Sequence, residues 1–181
     1  MIATHAAWTI WQIDGNDHAM EQELLRIMQL GDANVVQFAA YTLGSLGPAA
    51  IDVAPALRIE RERHNGATRI HIAEALTRID AFDQASVQVI IQGLDDADVE
   101  VRWLAAISLG EVNSRHSDIA VPALILALND SDPDVRSAAA LSLGGFGALA
   151  TQAIPALRDR ATLDCPEVRS SAQTALACIR E

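Results

Sequence analysis

One stretch of this chain repeats itself at a spacing that leaves few folds open. The residues from Asp98 to Gly110 match those from Asp132 to Gly144 position by position, at an offset of 34. Extending the match in both directions gives a column of Ile2, Val35, Thr68, Val101, Val135 and Val168, stepping by 33 or 34 each time. Parallel columns follow: Ala6, Ala39, Ile72, Ala105, Ala139 and Ala172; Ile10, Leu43, Leu76, Leu109, Leu143 and Leu176; Ile13, Leu46, Ile79, Val112, Phe146 and Ile179. Within a unit these columns stand at relative positions 0, +4, +8 and +11, which returns to one face of an α-helix. The second half of each unit carries its own column of Leu24, Leu57, Ile90, Leu124 and Leu157. A period in the thirties marks a two-helix solenoid, in which a unit hides its apolar face only by stacking on its neighbours.

Turn signals divide the chain accordingly. Asp132 can accept a hydrogen bond from free amides at a helix start, and Pro133 follows where its missing N–H costs nothing. Gly44, Gly47, Gly110, Gly144 and Gly147 fall near the ends of first helices, where a left-handed residue is expected to close the turn. The spacing predicts first helices at about 2–13, 33–46, 66–80, 98–112, 133–146 and 166–180, and second helices near 17–30, 50–63, 83–94, 117–129 and 150–163. Pro55, Pro122 and Pro155 lie near the starts of second helices, where a proline is tolerated or leaves a mild kink. The expected fold is all-α: an α-solenoid, or superhelix, of about five and a half two-helix repeats forming a single domain. Its units are 1–31, 32–64, 65–96, 97–130, 131–163 and 164–181. The polar residues Ser171, Gln173 and Thr174 replace apolar ones of inner repeats, as the outer face of a terminal cap would.

Charge limits the partners. The chain carries 24 acids against 13 bases, a net charge of −11, and every base is arginine. Such a surface repels phosphate backbones and anionic lipid, which argues against nucleic acid and membrane as partners. No run of about 18 apolar residues offers a membrane span. The N-terminus has no basic start leading into an apolar run. Two cysteines, Cys165 and Cys178, are too few for a disulfide scaffold and fit a reducing compartment, so a cytoplasmic location is expected.

The motif Asp-x-Asp-Val-Arg-x-x-Ala-Ala-x-x-Leu-Gly, followed by Ala-x-Pro-Ala-Leu, is sharpest in 130–157 and 96–128 and blurred in 1–30 and 65–94. It resembles the HEAT-like repeats of the phycobilin-lyase type. The resemblance covers essentially the whole chain and implies an α-solenoid. In function it implies scaffolds, adaptor subunits and a few lyase subunits, because such repeats serve many unrelated roles.

Several residues invite a functional reading. Arg69, Arg102, Arg136 and Arg169 align at the repeat step. In register they could hold phosphates or a carboxylate-rich peptide. The expectation is instead an internal ladder, with Asp98, Asp132, Glu100, Asp134 and Glu167 as partners, because partly buried arginine is normally paired. The second helices, which line the concave side of such stacks, offer Ile59, Val89, Gln92 and Leu126 as a partly apolar groove for a helix or extended peptide. The alternative is that these side chains pack between second helices. Arg58, Arg61, Arg63, His64 and Arg69 cluster with Glu60 and Glu62, and read either as a self-compensated helix or as a docking patch for an acidic partner. Trp8 and Trp11 could anchor a partner or cover the end of the stack.

Catalytic motifs are missing. There is no Gly-rich phosphate loop, Gly-x-Ser-x-Gly or His-Glu-x-x-His. No His-Glu dipeptide supplies the iron pair found in some HEAT-repeat hydroxylases, and His71 with Glu74 is a weak metal pair beside a simple solvated one. No catalytic, cofactor or metal residue is therefore expected, and the chain is not expected to be an enzyme. The leading function is a scaffold or adaptor that binds another protein or peptide on the concave surface. The alternative, from the resemblance, is an accessory subunit of a bilin lyase or a related chromoprotein-handling factor.

Overall fold

The structure is a computed structural model describing residues 17–179. The helix expected at 2–13 and the tryptophans Trp8 and Trp11 lie outside the described residues. Among those residues the regular structure is helical. It comprises α1 (Asp17–Leu30), α2 (Ala33–Ser45), α3 (Ala54–Arg63), α4 (Gly66–Ile79), α5 (Gln84–Gly93), α6 (Val99–Gly110), α7 (Ser117–Ala127), α8 (Pro133–Gly145), α9 (Ile154–Leu163) and α10 (Pro166–Ile179). No described helix is long and apolar enough to cross a membrane.

Two of the second helices begin differently from the continuous helices expected at 50–63 and 150–163. The 3-10 segments Gly47–Val53 and Gly147–Ala153 precede α3 and α9, with non-helical backbone at Ala50 and Ala150. Pro55 and Pro155 therefore fall in the first turn of a fresh helix, where no backbone partner is lost. Pro122 lies inside α7. Aspartates start three of the first helices: Asp32 caps α2, Asp98 caps α6 and Asp132 caps α8, each accepting from an amide of the first turn.

The described residues divide into two compact units that meet between Ser86 and Val87 in sequence. In the first, α2 packs along α4, α1 leans on α2 and α3 leans on α4. Leu24, Met28, Val36, Leu43, Leu57, Ile72, Leu76 and Ile79 form its core. In the second, α6, α8 and α10 lie side by side, with α7 against α8 and α9 against α10. Leu109, Leu124, Leu143, Leu157 and Val168 are fully buried there. The columns at 0, +4, +8 and +11 are thus the inward face, as the helical period requires.

The glycines divide into two kinds. Gly47 and Gly147 have φ of 59° and 51° and close turns in the left-handed region, as expected. Gly44, Gly110 and Gly144 do not; they remain helical, and their role is close approach. A Cβ on Gly44 would stand 2.9 Å from Ala75 Cα, one on Gly144 3.0 Å from Ala175 Cα, and one on Gly110 2.6 Å from Ser142 Oγ. Neighbouring first helices therefore meet nearly backbone to backbone, one repeat apart.

A polar clasp accompanies that contact in the second unit. Arg102 donates from Nε and Nη2 to the two oxygens of Asp130, at 2.8 and 3.1 Å, and from Nη1 to the carbonyls of Asp96 and Ala97. One repeat on, Arg136 binds Asp164 at 2.8 and 2.6 Å and the carbonyls of Asp130 and Ser131. Asp130 is thus held at its carboxylate by one arginine and at its carbonyl by the next. This corrects the expected ladder. Asp98 and Asp132 are not the partners; each gives one oxygen to an amide in the first turn of its own helix. The fork of each arginine reaches the loop ahead of the following first helix instead. Arg69 and Arg169 stand outside the clasp. Arg69 reaches Glu62 at 3.3 Å and its Nε has no partner; Arg169 is exposed with no ion pair among the described residues.

The hydrogen bonds from Arg136 hold the Asp164 carboxyl down at about 2, against an ordinary value of 3.8. Burial pushes Asp130 up, but hydrogen bonds from Arg102 and the Asp132 amide more than offset it, so its carboxyl also ends below the ordinary range. Both are depressed acids, so their stabilisation is complete above the unfolded carboxyl value and fades as pH falls through the folded one. Asp164→Asn should lower unfolding stability at pH 7 by on the order of 2 kcal/mol. In paired urea melts the gap between variant and parent should narrow from about pH 4 down to pH 2; a gap that stays constant across that range would remove the proposed protonation linkage.

The glycine contact gives a second test. Gly→Ala inside a helix normally adds up to about 1 kcal/mol. At Gly44 the new methyl meets backbone, so overpacking of about 1–3 kcal/mol should reverse the sign and lower Tm. Gly145→Ala, whose Cβ would meet only the Gly110 carbonyl at 3.9 Å, should leave Tm unchanged or slightly raised. Equal responses at the two sites would contradict the close-approach account.

Candidate interaction surface

With 0, +4, +8 and +11 turned inward, the positions at +2, +6 and +10 form a stripe on the other side of α6 and of α8. In α6 the stripe holds Trp103, Ile107 and Glu111; in α8 it holds Ser137, Leu141 and Gly145. Trp103, Ile107 and Leu141 are 43%, 37% and 51% exposed. Together with Gly110, Asp134, Ala138 and Ser142 they line a groove of about 450 Å³ running between α6 and α8. Gly110 and Ser142 draw the helices together at one end of it. The other end holds Asp134, in the first turn of α8.

The residues expected to form a groove on the second helices fare unevenly. Ile59 is exposed on α3 of the first unit; Gln92 and Leu126 are exposed in the second. Leu126 is 75% exposed and lines a smaller hollow of about 230 Å³ with Ile91, Leu94, Ala123 and Ala127, edged by Asp95 and Asp130. Val89 is a correction: it is buried, at 7% exposure. On α5 the buried set is Ser86, Val87, Val89, Ile90 and Gly93. That arc is wide enough to take Val89 inside with Ile90.

The basic cluster is compensated, but largely from beyond its own helix, and Glu60 and Arg61 within it are buried. Arg58 binds Asp80 at 2.7 Å and Asp83 at 3.0 Å, Arg61 donates to Ser86 at 2.6 Å, and Arg63 pairs with Glu60 at 2.8 Å. Arg58 turns away from the acids of its own helix to the aspartates ahead of α5. His71 lies 3.8 Å from Glu74, whose other oxygen holds Arg78 at 2.8 Å. Among the described residues no group of three His, Cys, Asp or Glu side chains converges as a metal ion requires.

Trp103, Ile107 and Leu141 are the candidate residues that sequence reasoning missed. A signal was present for Ile107 and Leu141 but not for Trp103, whose column also holds Gln37, Ile70, Ser137 and Ser170. Trp8, Tyr41, Glu74, Ile107, Leu141 and Thr174 occupy one column, six places after the Val35–Val101–Val135 column, and four of the six are apolar or aromatic. An apolar residue recurring off the buried face is exposed by construction, and Tyr41 on α2 is exposed as well.

Comparison with known proteins agrees with this architecture. The family described as HEAT repeats matches residues 87–177. No curated protein matches the chain. Among solved structures, the chain resembles one from the complex of CpcE and CpcF of phycocyanin lyase from Nostoc sp. PCC7120. The TM-score is 0.67 at 22% identity, covering 88% of this chain and 99% of that one. It also resembles an engineered protein, with a TM-score of 0.58 at 21% identity over 88% of this chain and 78% of that one. Human deoxyhypusine hydroxylase gives 0.53 at 18% identity, over 91% of this chain and 75% of that one. With the HEAT match spanning half of its length and its helix pairs recurring every 33 or 34 residues, the chain belongs to the HEAT repeat family.

Proposed function

We propose that the chain is a cytoplasmic, non-enzymatic interaction scaffold that holds a partner protein or peptide in the groove between α6 and α8. The observation that carries this reading is the run of three large apolar side chains, Trp103, Ile107 and Leu141, left half-open around one groove of about 450 Å³. Scattered exposed aliphatics need no explanation, but a contiguous set around a concavity does. Full burial of a large apolar side chain is worth about 1.5–3 kcal/mol. Three that are half-covered already leave roughly 2–4 kcal/mol to gain on binding. That sum alone falls short of the association cost, so polar contacts at the rim have to contribute. The free thiols Cys165 and Cys178 support a reducing compartment.

The groove of the first helices is preferred to the surface of the second helices, where the open hollow is smaller and Val89 is inside. A photo-crosslinking side chain, p-benzoylphenylalanine, replacing Leu141 or Ile107 in host cells should capture the same partner, while one replacing Leu126 should not. The reverse pattern would move the site to the second helices, and no adduct from any of the three positions would sink the scaffold reading.

A second reading, a subunit of a bilin-attaching lyase, is favoured by the extent of the likeness to the phycocyanin lyase chain, whose length this chain spans almost completely. Mixing the purified chain with a bilin and an apo-phycobiliprotein, alone and with extract from the same cells, should produce covalent pigment if that reading is correct. An absorbance spectrum unchanged from the chain-free control would reject it.

A further inference from the structure

A second hollow adjoins the groove. It measures about 290 Å³ and is lined by Val99, Glu100, Trp103, Asp132 and Asp134. Trp103 and Asp134 belong to both hollows. The indole thus lines both hollows, the groove with Ile107, Leu141 and Glu111 and the smaller one with Glu100 and Asp132, and Asp134 borders the two. Two of those carboxylates, Glu100 and Asp134, lack an ion-pair partner among the described residues, while Asp132 lies within electrostatic reach of Arg102 and Arg136. The nearest arginines, Arg102 and Arg136, are each committed to a bidentate pair with Asp130 or Asp164. Glu100 and Asp134 are exposed and carry no ion pair among the described residues. Asp132 spends one oxygen on the Asp134 amide.

We propose that the occupant of this groove is a partner segment that sets an aliphatic side chain on Ile107 and Leu141 and, within one helical turn of it, an arginine or lysine in the hollow beside Trp103. The inference rests on the groove reading above and names the chemistry of its partner. Charge complementarity selects the cation. A base in the hollow meets Glu100, Asp132 and Asp134 together, and an indole attracts a cation within about 6 Å of its ring. Residues three or four apart on a helix stand about 5–6 Å from one another at Cβ, so one turn can serve both hollows. A neutral or acidic segment would fill the groove and leave the carboxylates facing uncompensated surface, or repel them.

The test is a random-peptide display selection on the full chain, followed by fluorescence-anisotropy titration of the enriched peptides. Winners should pair an apolar residue with Arg or Lys three or four positions away. The double variant Glu100→Gln/Asp134→Asn should weaken them about tenfold, as should raising salt from low to high, while far-UV circular dichroism stays helical. Leu141→Asp should abolish binding. Winners that need Leu141 but are acidic or indifferent to the double variant would overturn the cation while leaving the groove intact. Winners insensitive to Leu141→Asp, or none at all, would overturn the groove and this inference with it.

Discussion

The structure depends on how closely one first helix can lie against the next. A pair of helices of ten to fourteen residues cannot cover its own apolar face, so each unit is stable only in contact with the following one. Ala and Gly at the facing positions set the separation. Gly44 against Ala75, Gly144 against Ala175 and Gly110 against Ser142 bring backbones near contact, leaving no room for a side chain. Leucines and isoleucines of the inward columns then fill the space behind those contacts to interior density. The composition follows: half of the residues are apolar and only 4% are aromatic, because a large ring at a facing position would hold the helices apart.

Sliding of one helix along another is opposed by the arginine clasp rather than by packing. A row of alanines and glycines is smooth and tolerates small shifts, whereas a bidentate guanidinium–carboxylate pair accepts one geometry. Arg102 and Arg136 each fasten the loop behind them through carbonyls and the loop ahead through a carboxylate. The clasp also fixes the charge pattern. It neutralises the two part-buried aspartates and spends the local arginines in doing so, which leaves Glu100 and Asp134 near the groove without ion-pair partners among the described residues.

Much of this was legible in the sequence. The period, the helix positions, the inward columns and the capping role of Asp132 followed from spacing and residue type, because those signals act over one or two turns. What failed depended on which side chains the fold brings together. Asp98 is four residues from Arg102 and Asp130 twenty-eight, yet it is Asp130, brought alongside by the next turn of the repeat, that takes the fork at both oxygens. Val89 was assigned outward on a narrow-stripe assumption, while α5 buries a wide arc. Gly44, Gly110 and Gly144 read as turn closers because they stand near helix ends. Only the facing Ala75, Ser142 and Ala175 show that closeness, not a left-handed turn, is what those positions need.

The groove follows from the same packing constraint. Positions +2 and +6 lie off the inward face, so Trp103, Ile107 and Leu141 can be apolar without serving the core. The tight contact of Gly110 with Ser142 closes one end, leaving the other end at the starts of α6 and α8. Glu100 and Asp134 occupy the first turns of those helices. Negative charge is favoured there by about 0.3–1 kcal/mol per site, because the free amides of a helix start carry partial positive charge. Fold stability alone would therefore place acids at the open end of an apolar groove. Any partner that binds there meets carboxylates that helix formation put in place, and a preference for a basic residue comes from the repeat at no further cost in stability.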